Sequence, residues 1–363
     1  MKPMINTIAS LPAIFCLTSA FSNRPMASYP RPLHPGGFSL PPMVEDLIPI
    51  ATTTAADKDS QLKEEILQKD LLIVRPPDME SLWEWYAYTK RQTDSDPSWG
   101  RIWPTALSLA RFTLQSLNSF DKEDAAYDIM DLTSKLEEQE QALVKQAIKA
   151  LHTTSHIIEL GCGLGVAGLT YAISAEAMNI KRTVTFLDRE PYALHCVMAS
   201  AAINKVATAP ISSEQVGSSS TQPLITARSS IDDWTSTDKN ISYKDLQLDA
   251  LDCDNKQTLI LASDILYEPS SMTSLATKLR NLLHPKDGGY VLITDPEKER
   301  TSGCRSALVE SVKEMGGQVV ILPMPQPKNN GMTTNKSMLV ESDVDIDGNL
   351  AKTVLIVVYL KGT

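Results

Sequence analysis

The sequence predicts an α/β fold with a mostly parallel sheet covered by helices on both faces. From residue 151 onward, short apolar segments alternate with segments of helical periodicity, which is the pattern of strands joined by crossover helices. The last two strand segments have no helical segment between them, which predicts an antiparallel C-terminal hairpin. The predicted strands are 156–160, 183–187, 224–227, 258–262, 290–294, 318–322 and 353–360, and the predicted helices are 166–177, 191–204, 270–283 and 304–315.

The pattern of residues 46–150 predicts a helical lead-in. The core that follows it spans residues 151–363. Segments 105–117 and 121–150 repeat apolar residues at helical spacing. Leu71–Val74 is a short strand candidate, because it is apolar and two prolines follow it closely.

Residues 1–45 predict a targeting presequence. Lys2 is followed by a mostly apolar stretch and by small residues at 18–20, as in a short signal sequence. Residues 21–42 contain arginine, serine and proline but no acidic residue, as transit peptides do. The Ala20-Phe21 junction resembles that of two-part presequences that direct proteins into plastids bounded by extra membranes. We therefore expect a plastid or another organelle, and the alternative is a cytoplasmic protein with a disordered tail.

Composition excludes several classes of function. The chain of 363 residues carries 34 basic and 44 acidic residues, a net charge of −10, which disfavours a nucleic-acid partner. Its five cysteines form no C-x-x-C pair and its histidines are scattered, so we expect no metal site and no disulfide scaffold. No apolar stretch reaches the roughly 18–20 residues of a membrane span.

A glycine-rich turn is the strongest local motif. Gly161, Gly163 and Gly165 lie between a predicted strand and a predicted helix. Glycines at alternate positions let the chain turn tightly and let backbone N–H groups approach a ligand. Glu159, two residues before the first glycine, is placed so that its carboxylate can reach into the turn. We therefore predict a ligand site at this turn.

One interpretation of the turn is a dinucleotide site. Gly163, Gly165 and Gly168 satisfy G-x-G-x-x-G, and Asp188 lies 20 residues beyond the third glycine. The extra glycine at 161 argues against it, because the strand should run straight to the first glycine of that fingerprint. An NAD(P)-dependent oxidoreductase stays open as the alternative of another class.

The segment Glu159–Gly165 resembles motif I, Glu-x-Gly-x-Gly-x-Gly, of the seven-stranded (class I) S-adenosylmethionine-dependent methyltransferases. The resemblance implies a Rossmann-like, seven-stranded sheet with S-adenosyl-L-methionine as cofactor. It also implies that the turn wraps the methionine and ribose portion of the cofactor. Asp188, at the end of the second strand, would accept hydrogen bonds from both ribose hydroxyls.

Further residues resemble one subfamily, methyltransferase family 16, whose members mostly methylate protein lysines. Asp264 and Tyr267 form an Asp-x-x-Tyr motif after the fourth strand of the core. Trp103 lies in a segment similar to the family's Trp-Pro-Ser-Ala lead-in, and Asp233-Trp234 resembles an acidic–Trp pair whose indole lies on the adenine. Asp295-Pro296, at the end of the fifth strand, is also common in the family.

The resemblance implies a role for each residue. Asp264 would attract and orient a lysine ammonium, and Tyr267 would pack on or hydrogen-bond to the amine. The expected partner is a protein that presents a lysine to a monomeric enzyme, and the alternative on the same core is a small-molecule N-methyltransferase. Segments 207–223 and 325–350 have no counterpart in the family, so the acceptor's identity does not carry over. The expected cofactor-binding residues are Trp103, Glu159, Gly161, Gly163, Gly165, Asp188, Trp234 and Ser263.

Overall fold

The structure is a computed structural model. It describes residues 43–48, 71–87, 97–119, 133–177, 181–209, 211, 225–235, 241–248, 257–324 and 351–362. The predicted presequence lies outside the described residues except for its last three. Nearly all of segment 207–223 and the whole of 325–350 lie outside them as well.

The central sheet confirms the predicted α/β fold. Among the described residues it has eight strands in the order β5-β6-β4-β3-β7-β8-β10-β9. Neighbours from β5 to β8 are parallel, whereas β10 is antiparallel to both β8 and β9, as predicted for the C-terminal hairpin. The strands are β3 (His156–Leu160), β4 (Arg182–Asp188), β5 (Ala207–Thr208), β6 (Ile225–Ile231), β7 (Thr258–Ser263), β8 (Gly289–Pro296), β9 (Gln318–Pro323) and β10 (Thr353–Leu360).

Helices cover both faces of the sheet, and each face has its own apolar core. In β3, Ile157 belongs to one core, whereas Ile158 and Leu160 belong to the other, because successive strand residues point to opposite faces. Both faces are therefore buried, as parallel strands require. The helices are α1 (Met79–Trp85), α2 (Pro104–Ser119), α3 (Glu138–Thr153), α4 (Val166–Ala177), α5 (Pro191–Ile203), α6 (Met272–Leu282) and α7 (Cys304–Glu314).

The lead-in is not purely helical. It contains a two-stranded antiparallel sheet made of β1 (Val44–Ile48) and β2 (Leu71–Arg75), of which the sequence predicted only β2. Strand β2 is tied to helix α5, because the Val74 N–H donates to the Ser200 hydroxyl over 2.8 Å. The small sheet thus packs against the core, and it begins before the predicted boundary at residue 46.

The sheet also differs from the prediction at one edge. Residues 207–208, expected in a loop, form the two-residue strand β5, which gives the sheet eight strands among the described residues where seven were predicted. Strand β6 continues to Ile231, past its predicted end at residue 227. Its polar continuation pairs with β4 as far as Ile231, and the buried Arg228 side chain donates to the Leu246 carbonyl over 2.9 Å.

Helices in the described part of the chain are all too short or too polar to cross a membrane.

Candidate functional site

The glycine-rich turn adopts a backbone conformation that glycine favours. Gly161, Gly163 and Gly165 have φ values of +61°, +48° and +70°. A Cβ atom on Gly161 would lie 2.8 Å from Ile265, and one on Gly165 would lie 2.8 Å from Val197. Glycine is therefore required at both positions by conformation and by space.

Glu159 lies beneath the turn and supports it from the protein side. Its Oε2 atom accepts a 2.8 Å hydrogen bond from the N–H of Gly168 in the first turn of α4. The carboxyl group is buried, and this burial raises its pKa to about 8. Glu159 is not among the residues that line the cleft beside the turn, so it holds the turn and the start of α4 in place.

Asp188, the last residue of β4, lines the cleft beside the turn. Its Oδ2 atom accepts a 2.8 Å hydrogen bond from Gly163 N–H, and its Oδ1 atom accepts a 2.9 Å bond from Glu190 N–H. Burial raises the pKa of Asp188 to about 6, while the two hydrogen bonds oppose the shift. The carboxylate thus joins two loops and borders the cleft.

Most of the expected site residues line this one cleft at the carboxyl ends of the strands, where ligands collect in parallel α/β sheets. Gly165, like Glu159, is outside the lining. Ser263 ends β7 at the cleft floor. The expected residues that line the cleft are Trp103, Gly161, Gly163, Asp188, Trp234, Ser263, Asp264 and Tyr267.

Trp234 is held beside the glycine turn by a buried ion pair. Its ring atom Cη2 lies 3.5 Å from the point where a Gly161 Cβ would be, and its indole N–H has no hydrogen-bond partner among the described residues. Two residues earlier, Asp232 pairs with Lys278 of α6, and both side chains are fully buried. Asp232 also accepts a 2.8 Å bond from Ile241 N–H, which fixes the loop that carries Trp234.

Trp103 presents its ring to two cations at the cleft. The indole N–H donates to the Ser98 carbonyl over 3.1 Å, which fixes the ring within the lead-in. The guanidinium carbon of Arg300 lies 4.1 Å from the ring centre, and that of Arg101 lies 5.0 Å from it. Both distances are within the range of cation–π contacts.

The Asp264 carboxylate, expected to attract and orient an ammonium group, is already paired with a cation of the chain itself. Arg300 binds it through two hydrogen bonds, from Nε to Oδ1 over 2.7 Å and from Nη2 to Oδ2 over 2.6 Å. Sequence reasoning missed Arg300. Arg300 lies five residues after Asp295, near the end of β8. Because β7 and β8 are parallel neighbours, their carboxyl ends meet, and this position could have indicated that Arg300 lies near Asp264.

Tyr267 lies at the mouth of the cleft with 40% of its surface exposed. Its backbone carbonyl accepts a 2.8 Å hydrogen bond from the Thr301 hydroxyl, which joins the Asp-x-x-Tyr segment to the loop that carries Arg300. Across the described ranges, no group of three or more His, Cys, Asp or Glu residues is arranged to hold a metal ion.

Comparison with known proteins adds a likeness of fold. No family model matches the chain, and no curated protein matches it. Among solved structures, it is similar to precorrin-6y C5,15-methyltransferase from Geobacter metallireducens (TM-score 0.32, 12% identity, 63% of this chain and 91% of that one). It is also similar to a Methanococcus jannaschii fibrillarin pre-rRNA processing protein (TM-score 0.33, 13% identity, 58% and 67%). At such scores the likeness says nothing about activity, so a function must rest on the cleft itself.

Proposed function

We propose that the protein is an S-adenosyl-L-methionine-dependent methyltransferase. The observation that carries this proposal is the convergence of the glycine turn, Asp188 and Trp234 in one cleft at the carboxyl edge of the sheet. The resemblance of these motifs to class I methyltransferases supports the cofactor, and the order of the parallel strands with a final antiparallel pair agrees with that class.

The residues of the cleft suit the parts of this cofactor. The Asp188 carboxylate borders the cleft and, when ionised, offers lone pairs to the two ribose hydroxyls. Trp234 lines the cleft beside the turn with its indole ring, which suits packing against the adenine. Gly161 and Gly163 line the cleft without side chains, which suits a close approach of the methionine portion to the backbone of the turn.

We infer a lysine side chain of a protein as the methyl acceptor. S-adenosylmethionine, when bound, would supply a methyl group on a cationic sulfur, and a neutral lysine amine would displace S-adenosylhomocysteine from that methyl group. A lysine has a pKa near 10.4 in water and must lose its proton before attack. Proximity and alignment in such a site can lower the barrier by roughly 7–11 kcal/mol. The exposed Tyr267 at the cleft mouth and the net charge of −10 support a lysine-bearing protein partner.

The cofactor is tested first, by calorimetry of the full chain with S-adenosylmethionine and, separately, with NAD. We expect binding of S-adenosylmethionine alone, and Asp188→Asn should weaken it. Because the pKa of Asp188 is about 6, the affinity of the wild type should fall as the pH drops below 6, and that dependence should disappear in Asp188→Asn. Binding of NAD instead would establish the oxidoreductase alternative.

The acceptor is then sought with a tritiated methyl donor added to organellar and cytosolic extracts, followed by mass spectrometry. We expect methylated lysine in a protein, and no transfer by Asp264→Ala even though this variant still binds the cofactor. Label in a small molecule would favour the small-molecule N-methyltransferase. Full activity of Asp264→Ala would remove the role proposed for Asp264.

We also propose that residues 1–45 direct the protein to a plastid or another organelle. Their basic, hydroxylated composition without acidic residues before Glu45 supports this location. A fluorescent reporter fused to residues 1–45 should enter an organelle, and a diffuse cytosolic signal would contradict the proposal.

A further inference from the structure

We propose that Trp103 and Asp264 form a subsite for an alkylammonium side chain, and that Arg300 occupies this subsite as an internal placeholder in the free protein. The inference deepens the proposed methyltransferase function and rests on it for the identity of the ligand as the acceptor lysine.

The contacts of Arg300 are those that an incoming organic cation would make. Its guanidinium is bound by both carboxylate oxygens of Asp264, over 2.7 and 2.6 Å, and lies 4.1 Å from the centre of the Trp103 ring. A carboxylate beside an aromatic face is how proteins bind organic cations. The subsite is therefore complete, and a side chain of the same molecule fills it.

The two partners differ in their contact with solvent. The Asp264 side chain is 6% exposed, whereas that of Arg300 is 31% exposed. With Arg300 in place the Asp264 carboxylate is covered on its solvent side, so a cationic partner stabilises it there. Arg300 lies on the solvent side of the pair, so its side chain is the partner that can leave and be replaced.

The loop that carries Arg300 is anchored without the contact to Asp264. The Glu299 carboxylate accepts a 2.7 Å hydrogen bond from Arg305 N–H, and the Thr301 hydroxyl donates to the Tyr267 carbonyl over 2.8 Å. These contacts hold the backbone on both sides of residue 300. A rotation of the Arg300 side chain is therefore enough to vacate the subsite, and the loop stays in place.

This arrangement selects for a charged acceptor. An alkylammonium group that displaces Arg300 restores a cation to Asp264 and to the face of Trp103. A neutral or anionic side chain that displaced Arg300 would leave the Asp264 carboxylate without a cationic partner. Cationic acceptors therefore compete directly with Arg300. This competition weakens their binding, but it also disfavours acceptors without a positive charge.

The test is a titration of the full chain with n-butylammonium chloride. This probe has the length and charge of a lysine side chain. Its binding is monitored by the NMR signal of the Trp103 indole N–H. Arg300→Ala should bind the probe about tenfold more tightly than the wild type, because a competing charge-assisted pair is removed. The gain should vanish in the double variant Arg300→Ala/Asp264→Asn. Arg300→Gln, which also lacks the charge, should show the same gain and serves if Arg300→Ala does not fold.

Two controls separate the subsite from simpler effects. Lys298→Ala removes the same charge from an exposed position of the same loop and should bind the probe as the wild type does. The uncharged probe 1-butanol should gain nothing from Arg300→Ala. Unchanged n-butylammonium affinity in both Arg300 variants would overturn the proposal. So would an equal gain for 1-butanol or in Lys298→Ala.

The titration requires no methyl transfer. If the probe does not bind as expected, the proposed methyltransferase activity is unaffected. Conversely, if this protein has no methyltransferase activity, the titration can still detect the cation subsite.

Discussion

The indole N–H of Trp99 donates a 3.0 Å hydrogen bond to the phenol oxygen of Tyr86. The Tyr86 hydroxyl in turn donates to the Glu190 carboxylate over 2.7 Å. Glu190 caps helix α5 and also lines the cleft, so this chain of bonds ties the lead-in to the loop after β4. The rings of Tyr86 and Trp99 are buried, whereas Glu190 is half-buried at the edge of the cleft.

Tyr86→Phe should therefore destabilise the protein by about 1–3 kcal/mol, because it leaves a buried N–H and a carboxylate oxygen without their partner. Urea unfolding measures the change. Tyr359→Phe is the matched control, since the Tyr359 hydroxyl makes no hydrogen bond among the described residues, and it should change stability by less than about 0.5 kcal/mol. Equal effects of the two substitutions would contradict the importance of the Trp99–Tyr86–Glu190 chain.

Two glycines with similar backbone conformations allow the cost of backbone strain to be measured separately from the cost of steric crowding. Gly165 and Gly316 have φ values of +70° and +74°, but a Cβ atom would lie 2.8 Å from Val197 at the first and within 4 Å of nothing at the second. Gly316→Ala should cost about 1 kcal/mol from strain alone. Gly165→Ala should cost about 1–3 kcal/mol more, because a packed core resists the extra methyl group. Similar unfolding midpoints in urea for the two variants would show that the turn yields to the added atom.

The buried pair of Lys278 and Asp232 should behave as a unit. Lys278→Met leaves the Asp232 carboxylate buried without its cation, so we expect a loss of about 3–5 kcal/mol. Lys278→Met/Asp232→Asn should be more stable than Lys278→Met, because the charge is gone while an oxygen remains for Ile241 N–H.

A double-mutant cycle by urea unfolding measures this coupling, and Lys313→Met, at an exposed position of α7, controls for the loss of a lysine. If the double variant lost the sum of the two single losses, the pair would contribute no coupling.

Glu159 should make stability fall as the pH rises. Burial raises its pKa to about 8 in the folded protein, from about 4.5, so between pH 5 and 8 the folded state holds a proton that the unfolded state has released. The free energy of unfolding therefore decreases with pH, by up to about 1.4 kcal/mol per unit from this one group. In Glu159→Gln, which keeps an oxygen for Gly168 N–H, this contribution disappears.

Unfolding of both proteins at pH 6.5, 7.0 and 7.5 tests this difference. Other titrating groups are common to the two proteins and cancel. Parallel stability curves would mean that Glu159 is ionised in the folded protein throughout this range.

Sequence periodicity predicted the core elements because their apolar pattern can be read locally, although their pairing is distant. Strands β3 and β10 and helix α4 begin and end at the predicted residues, where apolar segments meet polar or glycine boundaries. Strand β1 escaped prediction because it has two acidic residues among five. It depends on a distant partner, since Asp46 pairs with Arg75 of β2 over 2.7 Å. No local pattern encodes such a pairing.

The sequence predicted residues that line the cleft, but it did not predict that the Asp264 carboxylate is paired with Arg300. Motifs and strand ends indicated Asp188, Trp234 and Asp264, and all three line the cleft. Arg300 is one of four consecutive charged residues, a composition that usually indicates a solvated loop. Only the tertiary neighbourhood of β7 and β8 distinguishes it from Lys298, because the Arg300 side chain meets the buried Asp264 carboxylate.

The position of β10 has a consequence for synthesis on the ribosome. Among the described residues, strand β9 is joined to the rest of the sheet only through β10, which follows it in the sequence by about thirty residues yet lies between it and β8. A nascent chain that has emerged only as far as Pro323 therefore exposes an open edge on β8, and β9 has no neighbour to pair with. Such an edge attracts other chains. We expect the growing polypeptide to need protection by a chaperone during this interval, which ends when Thr353–Leu360 inserts and closes the gap.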